Sequence, residues 1–343
     1  MMTVLYVKEP NAVVRRVGER VVVARRERGQ RREEILADLP VQQVEQVVVY
    51  GYPQLTTQAV TLLLRHGVDI VLLTPSGGYI GVTRREGSHF ARLRQAQLLM
   101  AANPQRALRM AVAVVEAKLA NQRNLLRTLA GLQPAPVAAQ LERAAQGIEQ
   151  MRRRVAAAAN LDGVRGYEGR GAALYFGALR LLLDRSWSFG GRQFYPPPDP
   201  FNALLSFGYA LLQKDIETVA QRVGLDPYVG CLHALEDGRP SLTLDLMEEF
   251  RPLVVDYAML HLALGGQVKP ADFTFTGRAE RPVEIGPQLL PAVINAYERR
   301  VGQALFHQPS AGLNPLRRCY ELQARLYAQT VLQEQLRYQG MVG

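Results

Sequence analysis

The sequence predicts an α+β chain of two domains, a small β-rich N-terminal domain over residues 1–87 and a larger all-α domain over residues 88–343. Three observations predict it. Short β-branched runs crowd the first eighty-five or so residues. The composition then shifts toward Ala, Leu, Gln and Arg near residue 88. From there, apolar residues recur at spacings of three and four, the period of an amphipathic helix.

Thr3-Val4-Leu5-Tyr6-Val7, Arg20-Val21-Val22-Val23-Ala24 and Gln46-Val47-Val48-Val49-Tyr50 read as strands, with charged or turn residues between them. Residues 56–66 read as a helix carrying Leu62, Leu63 and Leu64, with Gly67 as its stop. Residues 68–74 return as a strand, Pro75-Ser76-Gly77-Gly78 is a turn, and Tyr79-Ile80-Gly81-Val82 is a last short strand. A short linker is expected at residues 83–90. Helical periodicity follows over residues 90–100, 104–129, 134–159, 172–183, 202–223, 242–264, 289–303 and 314–338. Residues 186–200, rich in aromatic, Gly and Pro, are expected to form a loop.

The chain of 343 residues carries a formal net charge of +10, which favours an anionic partner, nucleic acid or an anionic membrane. Lys8, Lys118, Lys214 and Lys269 are its only lysines, so the positive charge is almost all arginine. A planar guanidinium binds phosphate bidentately and stacks on bases; a GC-rich genome gives the same bias. Cys231 and Cys319 are too few and too far apart for a disulfide framework or a cysteine zinc site, which suits a reducing cytoplasm. No signal-peptide pattern and no bilayer-length apolar run is present, so a soluble cytoplasmic protein is expected.

Three positions stand out as a candidate site. Glu168 lies in Gly166-Tyr167-Glu168-Gly169-Arg170-Gly171, read as the mouth of a helix. There it is either a first-turn charge favouring the helix dipole or a ligand whose flanking glycines admit a phosphate. His233 closes Asp226-Pro227-Tyr228-Val229-Gly230-Cys231-Leu232-His233; a lone histidine is equally read as a packed or surface residue. Glu248 sits in Asp245-Leu246-Met247-Glu248-Glu249-Phe250-Arg251-Pro252. Asp245 and Glu248, three apart, share a helix face. With Glu249 they form either a ligand-bearing edge or a solvated acidic edge that pairs with Arg251 or Arg239. Pro252 cannot donate to the carbonyl of Glu248, so the helix is expected to bend or open there. One imidazole with two or three carboxylates makes a hard donor set suited to Mg or Mn. Spacing alone does not join the three.

Those strings, together with Asp199-Pro200-Phe201-Asn202-Ala203-Leu204-Leu205-Ser206-Phe207-Gly208-Tyr209 and Gly238-Arg239-Pro240-Ser241-Leu242, occur in an order and at a spacing that resemble the signature blocks of the CRISPR-associated integrase family, the first near-universal Cas protein. The resemblance covers essentially the whole chain. It implies a metal site of Glu168, His233 and Glu248 holding Mg or Mn, with Asp245 at an adjacent acidic position and Glu249 as support. Cys231 departs from the family, which commonly has a larger apolar residue there. The implied activity is a metal-dependent DNA endonuclease and integrase, in which the 3′-hydroxyl of a DNA fragment attacks a phosphodiester of the CRISPR repeat. The resemblance also implies a homodimer, with the β-rich domain as the dimer contact, and a complex with the small second universal Cas protein. No added domain or DNA-binding tail is expected.

Arg170, Arg192, Arg239 and Arg251, in or beside the blocks, are candidate phosphate contacts or carboxylate partners. Arg84, Arg85, Arg92 and Arg94 are candidates for a duplex track or for a solvated surface. Two other readings stand beside the integrase: a non-catalytic DNA-binding scaffold, which would tolerate loss of the three ligands, and a transposase-like relative. A membrane-surface protein fits least, because no basic amphipathic helix is paired with exposed aromatics.

Overall fold

The computed structural model describes residues 3–26, 33–75, 77, 79–85, 90–193 and 195–343. The chain forms two compact units, Met1–Ser88 and His89–Gly343. Part of the expected linker (residues 86–89) and part of the expected turn (Ser76 and Gly78) lie outside the described residues.

The first unit holds β1 (Thr3–Val7), β2 (Ala12–Val17), β3 (Arg20–Arg26), β4 (Glu33–Pro40), β5 (Val44–Tyr50), β6 (Gln54–Leu55), α1 (Thr57–Arg65), β7 (Asp69–Leu73) and β8 (Tyr79–Thr83). These make two four-stranded sheets, ordered β1-β5-β7-β8 and β4-β3-β2-β6. β1, β5 and β7 run parallel, so β5 is covered on both edges and reads as an unbroken valine run rather than an alternation. α1 begins where the Thr56 side chain accepts from the Ala59 amide at 3.2 Å. It ends at Gly67, whose φ of +70° suits a residue without a Cβ. One cluster of buried aliphatics, including Val14, Val23, Val47, Leu63 and Ile70, joins both sheets to α1. Each such side chain contributes about 1.5–3 kcal/mol on burial.

The second unit holds α2 (Ala91–Ala102), α3 (Pro104–Ala130), α4 (Ala135–Ala156), α5 (Leu161–Leu179), α6 (Pro200–Val223), α7 (Ser241–Phe250), a π turn (Arg251–Asp256), α8 (Tyr257–Leu264), β9 (Thr274–Phe275), β10 (Val283–Glu284), α9 (Leu290–Val301), β11 (Ala304–His307), β12 (Gly312–Pro315) and α10 (Leu316–Leu332). Two antiparallel ribbons, β9 with β10 and β11 with β12, correct the all-α expectation for this region. Their two- and four-residue strands are too short to show a period of two in the sequence.

A second correction concerns Glu168. The helix expected from residue 172 starts instead at Leu161, where Asn160 Oδ1 accepts from the Gly163 amide at 2.9 Å. Glu168 is therefore in mid-helix, and the dipole role at a first turn does not apply. Of the glycines at this helix contact, two serve packing, Gly171 on α5 and Gly147 on α4. A Cβ on Gly171 would run into Leu119 Cδ2, and one on Gly147 would lie 2.9 Å from Leu174 Cδ1. Glycine thus lets α5 lie close to α3 and α4. The single helix expected over residues 242–264 is split by the π turn, with Pro252 as its second residue. This is the opening that a proline lacking an N–H demands.

Candidate active site

The second unit gathers Glu168, His233, Asp245 and Glu248 around a residue that the sequence did not single out, Lys118 of α3. Lys118 is buried, 6% exposed. Its Nζ donates to Glu168 Oε1 and lies 2.5 Å from Glu248 Oε2. Burial alone would lower the Lys118 pKa, but Glu248 and Glu168 outweigh it and hold the ammonium above its ordinary value. Burial would likewise raise Glu248, yet Arg251, Lys118 and His233 together draw its carboxyl down to about 2. The Nε of Arg251 is 3.6 Å from Glu248 Oε2.

His233 is positioned by Asp245. Residues 226–234 form an irregular segment, and Asp245 on α7 caps it like the anion in a nest of amides. Asp245 Oδ2 accepts from the amides of Cys231 (2.6 Å) and Leu232 (2.9 Å). Oδ1 accepts from the His233 amide (3.0 Å) and faces His233 Nδ1 at 2.7 Å. A carboxylate only accepts, so Nδ1 carries a proton, and Nε2 lies 3.8 Å from Glu248 Oε1. Gly230 makes the close approach possible, since a Cβ there would lie 2.6 Å from the Ser241 carbonyl carbon and 2.7 Å from Asp245 Oδ2.

Other clamps tie this segment down. Arg165, one turn before Glu168 on α5, donates through Nε and Nη2 to the Leu232 carbonyl at 2.9 and 2.7 Å. Buried Gln97 of α2 donates to the carbonyls of Asp226 and Val229 at 2.9 and 2.8 Å and accepts from the Asp226 amide. Ser241 Oγ donates to the Ala234 carbonyl at 2.6 Å. One helix thus presents Glu168 and fixes the His233 segment.

The solvated-edge reading of Asp245, Glu248 and Glu249 is corrected, because all three are buried. Glu249 faces away from the others. Its oxygens accept from Tyr338 Oη (2.6 Å), Gln323 Nε2 (2.9 Å) and the Met341 amide (2.5 Å). Burial pushes its carboxyl up to about 7 despite those donors. Asn121 of α3 bridges the Glu249 and Met341 carbonyls at 2.8 and 2.9 Å, so residues 338–341 brace α7 from behind.

The arginines part company. Arg251 and Arg192 stack over the Tyr209 ring, 4.9 and 5.2 Å from its centre, and Tyr209 donates to Asp256 Oδ1 at 2.5 Å. Arg239 pairs with Glu236 at 3.1 Å. Arg170 is exposed on α5. In the first unit, Arg84 pairs with Asp69 at 3.1 Å and Arg85 is exposed. On α2, Arg92 is exposed, while Arg94 donates to the Gly224 carbonyl at 3.4 Å. Both cysteines are free and buried, and burial pushes the Cys231 thiol up to about 12.

No three His, Cys, Asp or Glu side chains converge to metal-cluster spacing among the described residues. The Lys118 ammonium lies against both glutamate carboxylates. The donor set nevertheless fits a hard divalent ion. It offers two carboxylates and an imidazole oriented by a third carboxylate, Asp245. Glu248 Oε2 is also buried without an aligned hydrogen bond.

The sequence model of the family described as CRISPR associated protein Cas1 matches residues 5–299, and the chain belongs to that family. A relative named CRISPR-associated endonuclease Cas1 3, from Thermus thermophilus, is 33% identical over 339 residues, covering 98% of this chain and 96% of the relative. Among solved structures, a casposase bound to an integration product has the same fold, with a TM-score of 0.81 at 20% identity over 98% of this chain and 93% of the other. A Cas6-RT-Cas1–Cas2 complex matches with a TM-score of 0.79 at 22% identity, over 99% of this chain and 36% of that one. No helix among the described residues is long and apolar enough to cross a membrane.

Proposed function

We propose that this chain is a metal-dependent DNA endonuclease and integrase that joins DNA fragments to a CRISPR repeat, using Glu168, His233 and Glu248 to hold Mg or Mn. The observation that carries the reading is His233, held by Asp245 through Nδ1 with its Nε2 3.8 Å from the buried Glu248 carboxylate. The endonuclease name of the Thermus thermophilus relative supports it, as does the integration product of the casposase.

A divalent cation bound there supplies Lewis-acid polarisation of the scissile phosphate and stabilises the departing oxygen. The chain's own residues supply the rest. Asp245 keeps the proton on His233 Nδ1, which bars that ring nitrogen from taking one from the nucleophile. Arg251, stacked on Tyr209, offers a fixed positive charge beside Glu248 toward the negative charge on the phosphoryl oxygens. The 3′-hydroxyl of the fragment gives its proton to solvent and its oxygen forms the new P–O bond, while the P–O bond to the 3′-oxygen of the cut repeat strand breaks and that oxygen takes up a proton. No covalent bond to the protein is needed. Water in place of the 3′-hydroxyl gives hydrolysis, the endonuclease reaction. Arg170, Arg192 and Arg239 fit phosphate contacts that hold the duplex without reading its sequence.

We read the protein as cytoplasmic and as a homodimer that works with the small second universal Cas protein, a partnership in line with the Cas1–Cas2 neighbour. The test is strand transfer. A labelled fragment with a 3′-hydroxyl and a plasmid bearing the repeat array are incubated with the protein, with and without that partner, in Mg or Mn. Joined product that is metal-dependent and lost in Glu168→Ala, His233→Ala and Glu248→Ala is expected. DNA binding with no cleavage or joining under any of these conditions would favour a scaffold instead.

A further inference from the structure

We propose that Lys118 is a built-in counter-cation that makes divalent-ion binding at this centre depend on DNA. The proposal rests on the reading of Glu168, His233 and Glu248 as the metal ligands.

Lys118 reaches the same two carboxylates that would bind the ion, donating to Glu168 Oε1 and lying 2.5 Å from Glu248 Oε2. An ammonium and a divalent ion cannot share those oxygens, because each would sit at contact distance from the other cation in a buried setting. Metal binding therefore requires Nζ to leave. The choice of residue allows this. In a chain with four lysines, one is buried here. Lysine is a point charge on a flexible stem that can swing, whereas a guanidinium would grip the carboxylates in a rigid fork.

Charge decides where it goes. Glu168 and Glu248 are balanced by Lys118 and by Arg251, 3.6 Å from Glu248. A divalent ion entering alone would add two positive charges and leave the buried cluster net positive even with the Asp245 carboxylate counted, with Lys118 stripped of its anions, a costly state. DNA phosphate oxygens restore the balance and give Nζ a new anionic partner. The ion should thus bind weakly to the free protein and tightly to the DNA complex. By linkage, it should tighten DNA binding by the same factor.

The experiment measures Mn2+ affinity, by the electron paramagnetic resonance signal of free Mn2+, with and without a duplex whose strands end in 3′-deoxy nucleotides so that no joining occurs. Wild-type protein should bind Mn2+ at least about tenfold more tightly with the duplex, within the usual range of coupling. Lys118→Met should raise the affinity of the DNA-free protein about tenfold and shrink the DNA effect accordingly. Its melting temperature should fall without Mn2+, as the two carboxylates face each other, and recover more on Mn2+ addition than that of the wild type. Lys118→Gln, which keeps a donor between the carboxylates, gives the same readout where the methionine variant does not fold. Unchanged DNA-free affinity in these variants overturns the proposal while the metal centre stands. Equal wild-type affinity with and without duplex does the same. No Mn2+ binding to wild-type protein even with DNA overturns the metal centre and the proposal together.

Discussion

Replacing Asp245 with asparagine should detach His233 from its role while leaving the fold standing. Asp245 takes four contacts, two on each oxygen, from the Cys231, Leu232 and His233 amides and from His233 Nδ1. Asparagine keeps one accepting oxygen. If that oxygen stays with Cys231 and Leu232, the new amide N–H groups confront two donors on His233. Loss of the two charge-assisted contacts, eased by rearrangement, costs about 3 kcal/mol. That corresponds to a fall of about 6–12 °C in melting temperature for a unit of this size. The tautomer also changes, because Nδ1 now faces a donor and must accept. The ring is then protonated on Nε2, the nitrogen on the Glu248 side through which it would bind an ion. Mn2+ affinity should then drop about 10–100-fold, the usual effect of losing such an orienting carboxylate. Calorimetry reads the stability, a Mn2+ titration reads the affinity, and nitrogen chemical shifts of the His233 ring read the tautomer. Lower stability with unchanged Mn2+ affinity and unchanged ring shifts would refute the reasoning and leave Asp245 a purely structural cap.

Three further outcomes are expected. Burial pushes Glu249 up to about 7 and Asp256 up to about 6. The folded chain then holds protons that the unfolded chain has released, and stability falls as pH rises through the window from about 4 to about 7. Glu249→Gln removes the larger share, so the difference between urea midpoints at pH 5 and pH 7.5 should shrink by roughly half; an unchanged difference would rule out Glu249 as its source. Gly230→Ala drives a Cβ against the Ser241 backbone and Asp245 Oδ2, 2.6 and 2.7 Å away, and should cost about 1–3 kcal/mol by calorimetry while weakening Mn2+ binding. Gly171→Ala should destabilise through its collision with Leu119, and the double variant with Leu119→Ala should lose less than the sum of the two single changes; strict additivity would show that this contact is not the cause.

Strong periodicity made much of the helical order legible. The stretches read over residues 104–129, 202–223 and 289–303 match α3, α6 and α9 to within two residues. α5 was obscured because Gly163, Gly166, Gly169 and Gly171 look like loop residues, although Gly171 lets α5 touch α3, a property of the partner helix rather than of the local chain. β4, with Glu33, Glu34 and Asp38, hid because its side chains are largely exposed and carry little apolar signal. At the site, Glu168, His233, Asp245 and Glu248 could be named from linked motifs, and the structure brings them together. Lys118 and Arg165 could not, since they act across 50 and 67 residues of chain through contacts that no local spacing encodes. The scarcity of lysine was the one available hint, since a lysine inside an apolar helical run of an arginine-rich protein breaks the pattern of its surroundings.

A π turn is an α-helix carrying one surplus residue, which the segment from Arg251 to Asp256 takes up in a wider turn. Glu248 faces Lys118 before it, and Asp256 receives Tyr209 after it. Removing any one residue between them would let the chain close into a continuous α-helix. Because the wide turn takes up its extra residue within itself, the helices on either side would keep nearly their present phase. The loss would fall on the turn, where Arg251 stands beside Glu248 and Val255 seats against Gly208, since one fewer position would remain to present those side chains. A deletion here is therefore a different kind of change from a substitution: the flanking helices survive it, and the contacts made from the turn do not.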